Sequence, residues 1–203
     1  MLILKKDNSR IKRILMTEKE KMVQGLSYDP LDKELISGRI HARKLTAKIA
    51  EIPMDKEKQR RHIFKELLGS TAGRFYIENP FICDYGYNIH WGENAYANFG
   101  CIILDAAPVH IGKNVMMAPG VKLLTSTHPL EFEARNSGIE TAEPIYIGDN
   151  VWIGGGVIIN PGVTIGNNSV IGSGSVVVND IPDNVVAVGN PCKVLKKIDN
   201  SKK

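Results

Sequence analysis

The chain has no apolar run approaching the ~18 residues that a membrane-spanning helix needs, and no short apolar core of the kind a secretory signal carries. A cytoplasmic protein without a membrane partner is the simplest expectation. Cysteine is scarce: Cys83, Cys101 and Cys192 are the three present, an odd number that reads as buried thiols in a reducing compartment rather than a disulfide framework. No aromatic is interleaved with the basic runs at the two ends. Residues 1–15 hold five basic side chains against Asp7, and residues 193–203 hold five lysines against Asp199. Each end is therefore +4, and a whole chain of +4 leaves a body of −4 between them. Basic ends on an acidic body do not make a nucleic-acid surface, so no nucleic-acid partner is expected.

What is present is a repeat. An aliphatic residue returns at every sixth position through Ile147, Ile153, Ile159, Ile165, Ile171 and Val177, and a second stripe runs through Val151, Val157, Val163, Ser169 and Ser175. A six-residue unit is too short for a helix pair or a propeller blade, which leaves the short strand of a β-solenoid, with corners such as Asn160-Pro161-Gly162 supplying the turns. The register extends back through Ile111, Met117 and Leu123, and through Ile77, Cys83, Ile89, Ala95 and Cys101. The step from Cys101 to Ile111 is ten residues, which predicts one coil enlarged by four. Residues 125–144 carry none of the pattern yet leave the phase intact, as expected of a loop thrown out from one corner.

Ahead of the repeat, Thr17-Glu18-Lys19-Glu20 is a capping box, and its helix stops at Gly25. Asp32 is placed to cap a longer helix with Leu35, Ile36, Ile40 and Ile49 near one face, ended by Pro53; Asp55 is placed to cap a third, carrying Ile63, Phe64, Leu67 and Leu68. Three such helices have no core of their own and must pack on the open end of the solenoid. At 203 residues and 43% hydrophobic content, one core is enough for the whole.

The units resemble the hexapeptide repeat of acyltransferases. The strings CDYGYNIH (83–90), YANF (96–99), STHPL (126–130), RNSG (135–138), VWIGGGVIINPGVTIG (151–166) and VAVGNPCKV (186–194), in that order, resemble the maltose and galactoside O-acetyltransferase family over residues 16–199. The resemblance implies a mainly β fold, a left-handed parallel β-helix with an N-terminal α-helical cap. It gives boundaries of 1–15 for a disordered basic tail, 16–69 for the cap and 70–203 for the β-helix, its protruding loop and a basic C-terminal strand. Relatives typically begin near MTEKEKM, so Met16 is the start the resemblance favours.

It also implies an acetyl-CoA-dependent transfer of acetyl to a sugar hydroxyl, as of maltose, glucose or a galactoside, in a homotrimer with sites between subunits. His128, in the patternless loop and inside STHPL, is then the general base. Polar residues at Asp84 and Asn98 would grip the acceptor, with Tyr96, Asp105 in the enlarged coil, and Asp29 and Arg39 from the cap. For the coenzyme, Trp152 lies outside the inward stripes and can pack on pantetheine. Gly154, Gly155 and Gly156 offer bare backbone with an amide for the oxyanion. Ser173, Val178 and Asn179 stand near the nucleotide, the last two where relatives show Thr-Lys. Lys193 and Lys196 stand where relatives carry arginines, a looser hold on phosphate.

Other readings remain open at this point. An antibiotic hydroxyl is an alternative acceptor, and a non-catalytic scaffold an alternative role. A zinc hydratase would need three histidines: His110 and His128 are three units apart in the same phase and would stack coil over coil, while His90 is out of phase, so no metal is expected.

Overall fold

The structure is a computed structural model that describes residues 16–199; the basic tail expected at 1–15 lies outside the described residues. Helices α1 (Glu18–Val23), α2 (Lys33–Glu51) and α3 (Glu57–Leu67) precede nineteen short strands, and α4 (Phe132–Asn136) interrupts them.

The strands fall on three parallel sheets that wind around one core. The first sheet holds β2 (Tyr76–Ile77), β5 (Tyr96–Ala97), β8 (Met116–Met117), β13 (Trp152–Ile153), β16 (Val170–Ile171) and β18 (Val185–Val188), with β19 (Lys193–Lys197) added antiparallel at its edge. The second holds β3 (Phe81–Cys83), β6 (Cys101–Leu104), β9 (Lys122–Leu124), β14 (Ile158–Ile159) and β17 (Val176–Val177). The third holds β1 (Ser70–Thr71), β4 (Ile89–Trp91), β7 (Val109–Ile111), β12 (Ile145–Ile147) and β15 (Thr164–Ile165). A pair apart, β10 (Ser126–Thr127) and β11 (Thr141–Ala142), forms the antiparallel base of the protruding loop.

Inward columns such as Met117-Ile153-Ile171 and Leu123-Ile159-Val177 are buried coil on coil, each large aliphatic contributing about 1.5 to 3 kcal/mol through its removal from water. This is the parallel β-solenoid with helical cap that the repeat implied, and it is consistent with a left-handed β-helix. At the corner from the third sheet to the first, Asn94, Asn114, Asn150, Asn168 and Asn184 all take φ of 56–59°, a left-handed turn that asparagine tolerates. Their amides form a ladder of 2.8–3.1 Å hydrogen bonds up the edge.

Three expectations need correction. The four additional residues are not in one coil: the steps from Cys83 to Trp91 and from Ile103 to Ile111 each take eight residues instead of six, so two successive corners are enlarged by two. Asp55 does not cap α3, whose N-cap is Lys56 with no side-chain cap. In α2 the buried stripe is Leu35, Ala42, Leu45 and Ile49, while Ile36 and Ile40 face outward.

The cap closes the first coil. Ile63, Phe64 and Leu67 join the solenoid core, with Phe64 edge-on to Phe75 and Phe81, and buried Arg60 donates to the Ile77 carbonyl at 3.0 Å. A second, smaller cluster is formed by Met22, Tyr28, Leu35, Tyr85, Ala106, Ala107 and Ala142, and it joins cap, enlarged corners and loop.

Candidate active site

The enlarged corners between the second and third sheets are built around Asp105. It is 0% exposed. Its carboxylate accepts the backbone N–H of Asp84 at 3.1 Å, Tyr85 at 2.8 Å and Asn88 at 3.3 Å, and the Asn88 amide returns a bond to the Asp105 carbonyl at 2.8 Å. Burial pushes the carboxyl up to about 7, partly offset by those N–H donors. The sequence reading put Asp105 on the acceptor; the structure leaves it no surface, so it sets the shape of the corner instead.

That corner presents Asp84 and Tyr85 toward the cap. Burial raises the Asp84 carboxyl, and Arg43 and Arg39 pull it back. Arg39 donates to the Tyr85 hydroxyl and to the Pro30 carbonyl, both at 2.7 Å, so α2, the Pro30 turn and the corner are one unit. Asp29, exposed, accepts the Leu31 N–H at 2.8 Å in an Asx turn.

The 125–144 loop leaves the same corner one coil on. His128 is 52% exposed, and its Nε2 stands 3.9 Å from Glu140 Oε1. Glu140 in turn accepts the Tyr28 hydroxyl at 2.7 Å, and the two residues exchange backbone hydrogen bonds at 3.0 and 3.1 Å. Of the loop carboxylates that could orient His128, Glu140 is the one beside it. Tyr28, Tyr85 and Arg43 went unnoticed in the sequence; an aromatic directly before Asp29-Pro30 was the available signal for Tyr28.

Apart from Val178 and Asn179, the remaining expected residues lie on the other side of the second sheet. Tyr96 stacks on Tyr76 at 6.1 Å on the outer face of the first sheet, in the column that continues through Met116 to Trp152, 52% exposed. Asn98, at the corner from the first sheet to the second, accepts the N–H of Phe99 at 2.8 Å and takes no part in the asparagine ladder. Two coils further along that corner, all three glycine amides have partners: Gly154 and Gly156 donate to carbonyls at 2.8 and 2.9 Å, whereas Gly155 donates to the Ser173 hydroxyl at 3.1 Å. A free amide does not exist there, but Gly155's partner is a side chain that can rotate away. A Cβ at Gly156 or Gly174 would meet nothing within 4 Å, so the corner is open at both positions. Lys193 and Lys196, both exposed, pair with Val188 and Val186 at the edge of the first sheet. Val178 and Asn179 are exposed on the corner from the second sheet to the third, away from those lysines.

One chain thus splits the expected site into two columns. His128, Asp84, Asp29 and Arg39 stand at one edge of the second sheet; Tyr96, Asn98, Trp152, Gly155 and Ser173 stand at the other or beyond it. The stack expected of His110 and His128 is absent, because β7 lies between β4 and β12 and the residue in register above His110 is Tyr146. His110 instead lies on His90 at 4.5 Å and on Tyr146 at 5.0 Å, on the third sheet. Among the described residues no three His, Cys, Asp or Glu side chains converge in a metal-holding group, and no helix is long and apolar enough to cross a membrane. All three cysteines are buried and free.

The comparisons with known proteins agree with this fold. A maltose acetyltransferase hexapeptide capping motif matches residues 21–73, and the six-repeat bacterial transferase hexapeptide matches residues 144–179. A Dictyostelium discoideum protein with a provisional acetyltransferase name is 56% identical over 90% of this chain and 95% of its own. The structure of a maltose O-acetyltransferase from Clostridium difficile 630 superposes with a TM-score of 0.90 at 53% identity, covering 91% of this chain and 99% of that one. A galactoside acetyltransferase in complex with coenzyme A gives a TM-score of 0.87 at 41% identity over 92% and 93% of the two chains. A Vibrio cholerae hexapeptide-repeat acetyltransferase complexed with acetyl coenzyme A gives 0.85 at 34% identity over 91% and 100%.

Proposed function

Because the chain belongs to the maltose and galactoside O-acetyltransferase family of hexapeptide-repeat acetyltransferases, we propose that it moves acetyl from acetyl-CoA to a sugar hydroxyl, with His128 as general base. The observation that carries this reading is the His128–Glu140–Tyr28 arrangement near Asp84 and Arg39, an exposed imidazole next to a partly buried cluster of polar side chains. His128 takes the proton of the acceptor hydroxyl as its oxygen attacks the thioester carbonyl. The tetrahedral oxyanion takes a hydrogen bond from an amide such as that of Gly155 once Ser173 turns aside. Collapse breaks the carbon–sulfur bond, and the imidazolium returns its proton to the departing thiol. Glu140 steadies the imidazolium in between.

The site is completed by a second copy in a trimer. The outer face of the second sheet supports this: its column Ile82, Ile102, Lys122, Ile158 and Val176 is apolar but for one lysine, and Ile82 is exposed. Covering that face would bring the Gly155 edge of one chain to the His128 edge of its neighbour. The three free thiols suit a reducing, cytoplasmic setting.

Acetyl-CoA would lie along Trp152 and the open glycine corner, with its phosphates toward Lys193 and Lys196. Binding read by fluorescence of Trp152, with Trp152→Phe as control for buried Trp91, tests this and excludes the scaffold alternative: no saturable change on adding acetyl-CoA would contradict it. Replacing both lysines by alanine is expected to raise KM for acetyl-CoA roughly tenfold, from two lost charge-assisted contacts, with much less effect on a donor lacking the 3′-phosphate. Equal losses with both donors would make the lysines structural.

A further inference from the structure

The Tyr28 hydroxyl points at the same carboxylate that faces His128, although Tyr28 belongs to the cap and is 2% exposed. Its ring is packed in the cluster with Leu35, Tyr85 and Ala142, its hydroxyl donates to Glu140 at 2.7 Å, and its backbone is tied to residue 140 in both directions. A buried phenol ending on a carboxylate loses freedom for both partners, which is how a flexible loop side chain is held in one place. Glu140 uses one oxygen for Tyr28 and turns the other toward His128.

We propose that Tyr28 is a positioning residue: its hydroxyl fixes Glu140 so that Glu140 faces the His128 imidazole, and the cap thereby sets the pH dependence of the reaction. This rests on His128 being the base. The other groups that act on this pair are Asp84 and Tyr85 from the β3–β4 corner and Arg39 and Arg43 from α2, which leave the local balance of formal charge near neutral. In such a setting one hydrogen bond to Glu140 decides how much of its charge His128 feels. The Tyr28 phenol is itself pushed far up by burial and by Glu140, so it stays a donor throughout the working range.

Two variants read the link, one at the carboxylate and one at the hydroxyl that holds it. Glu140→Gln removes the charge that favours the imidazolium, so the acid limb of the kcat/KM profile is expected to move to lower pH. Tyr28→Phe keeps the packed ring but frees Glu140 to turn from the imidazole, so the limb is expected to move the same way by a smaller amount, with kcat lowered about 3- to 30-fold and KM for acetyl-CoA unchanged. In a Glu140→Gln background, Tyr28→Phe is expected to cost less than twofold, since the two act through one contact. Equal losses in both backgrounds, or an unmoved limb with a lowered Tm, would make Tyr28 merely structural and overturn the proposal. Should Tyr28→Phe not fold, Glu140→Gln alone decides: an unmoved limb overturns it. A wild-type enzyme that needs no His128 would sink the base assignment as well, whereas a normal His128 dependence with an unmoved Tyr28→Phe profile would sink only this inference.

Discussion

Replacing His128 by alanine is expected to lower the turnover number by about 10² to 10⁴, the range that a positioned general base contributes. Acetyl-CoA binding should be nearly unchanged, because the coenzyme is assigned to Trp152, Gly155 and the C-terminal lysines, whereas His128 acts on the acceptor hydroxyl. Stability should also be unchanged: His128 is half exposed on a loop outside the inward columns. His110→Ala is the matched control. It removes the middle ring of the His90-His110-Tyr146 stack on the third sheet, which includes no residue of the proposed site, and most activity should remain. A His128→Ala enzyme within threefold of wild type would end the general-base assignment.

The second large effect is on stability. Asp105→Ala is expected to cost about 2–4 kcal/mol, because three buried N–H groups lose their acceptor at once and the Asn88 contacts loosen with them. For a chain of this length that lowers Tm by about 5–15 °C. The pH dependence has a definite sign. Burial raises the native carboxyl to about 7, above its unfolded value, so the folded chain holds a proton that the unfolded chain has released. The contribution of this group is therefore largest below about pH 4 and is lost as pH rises through 7. Asp105→Asn, which cannot ionise, should flatten that part of the Tm–pH curve. An unchanged Tm accompanied by a raised KM for the sugar would instead restore the acceptor role that the sequence suggested.

The contrast between His128 and Asp105 marks what the sequence could disclose. The exposure of His128 was legible because it sits in a stretch without the period, where a side chain is displayed rather than packed. Asp105 was not, because its partners are backbone amides of the preceding coil, and backbone donors leave no trace in side-chain pattern. The register from Ile145 to Val177 was plain since its units are uninterrupted. The earlier coils misled because both inward stripes are apolar: Ile89 and Trp91, or Cys101 and Ile103, are buried alike, so a shift of two residues still finds an apolar residue at each step. That shift placed one four-residue enlargement where there are two of two residues, and gave His110 the wrong neighbours. Asp55 failed as a cap for a local reason, α3 beginning one residue later than the motif allows.

The most direct measurement is thiol release from acetyl-CoA by the wild-type chain against maltose, glucose, galactosides and an antibiotic bearing free hydroxyls, with the acetylated product weighed by mass spectrometry. The account predicts release that rises saturably with a sugar and matches acetyl-sugar formed one for one. Release that ignores the sugar, or bound acetyl-CoA with no transfer to any hydroxyl, would contradict it.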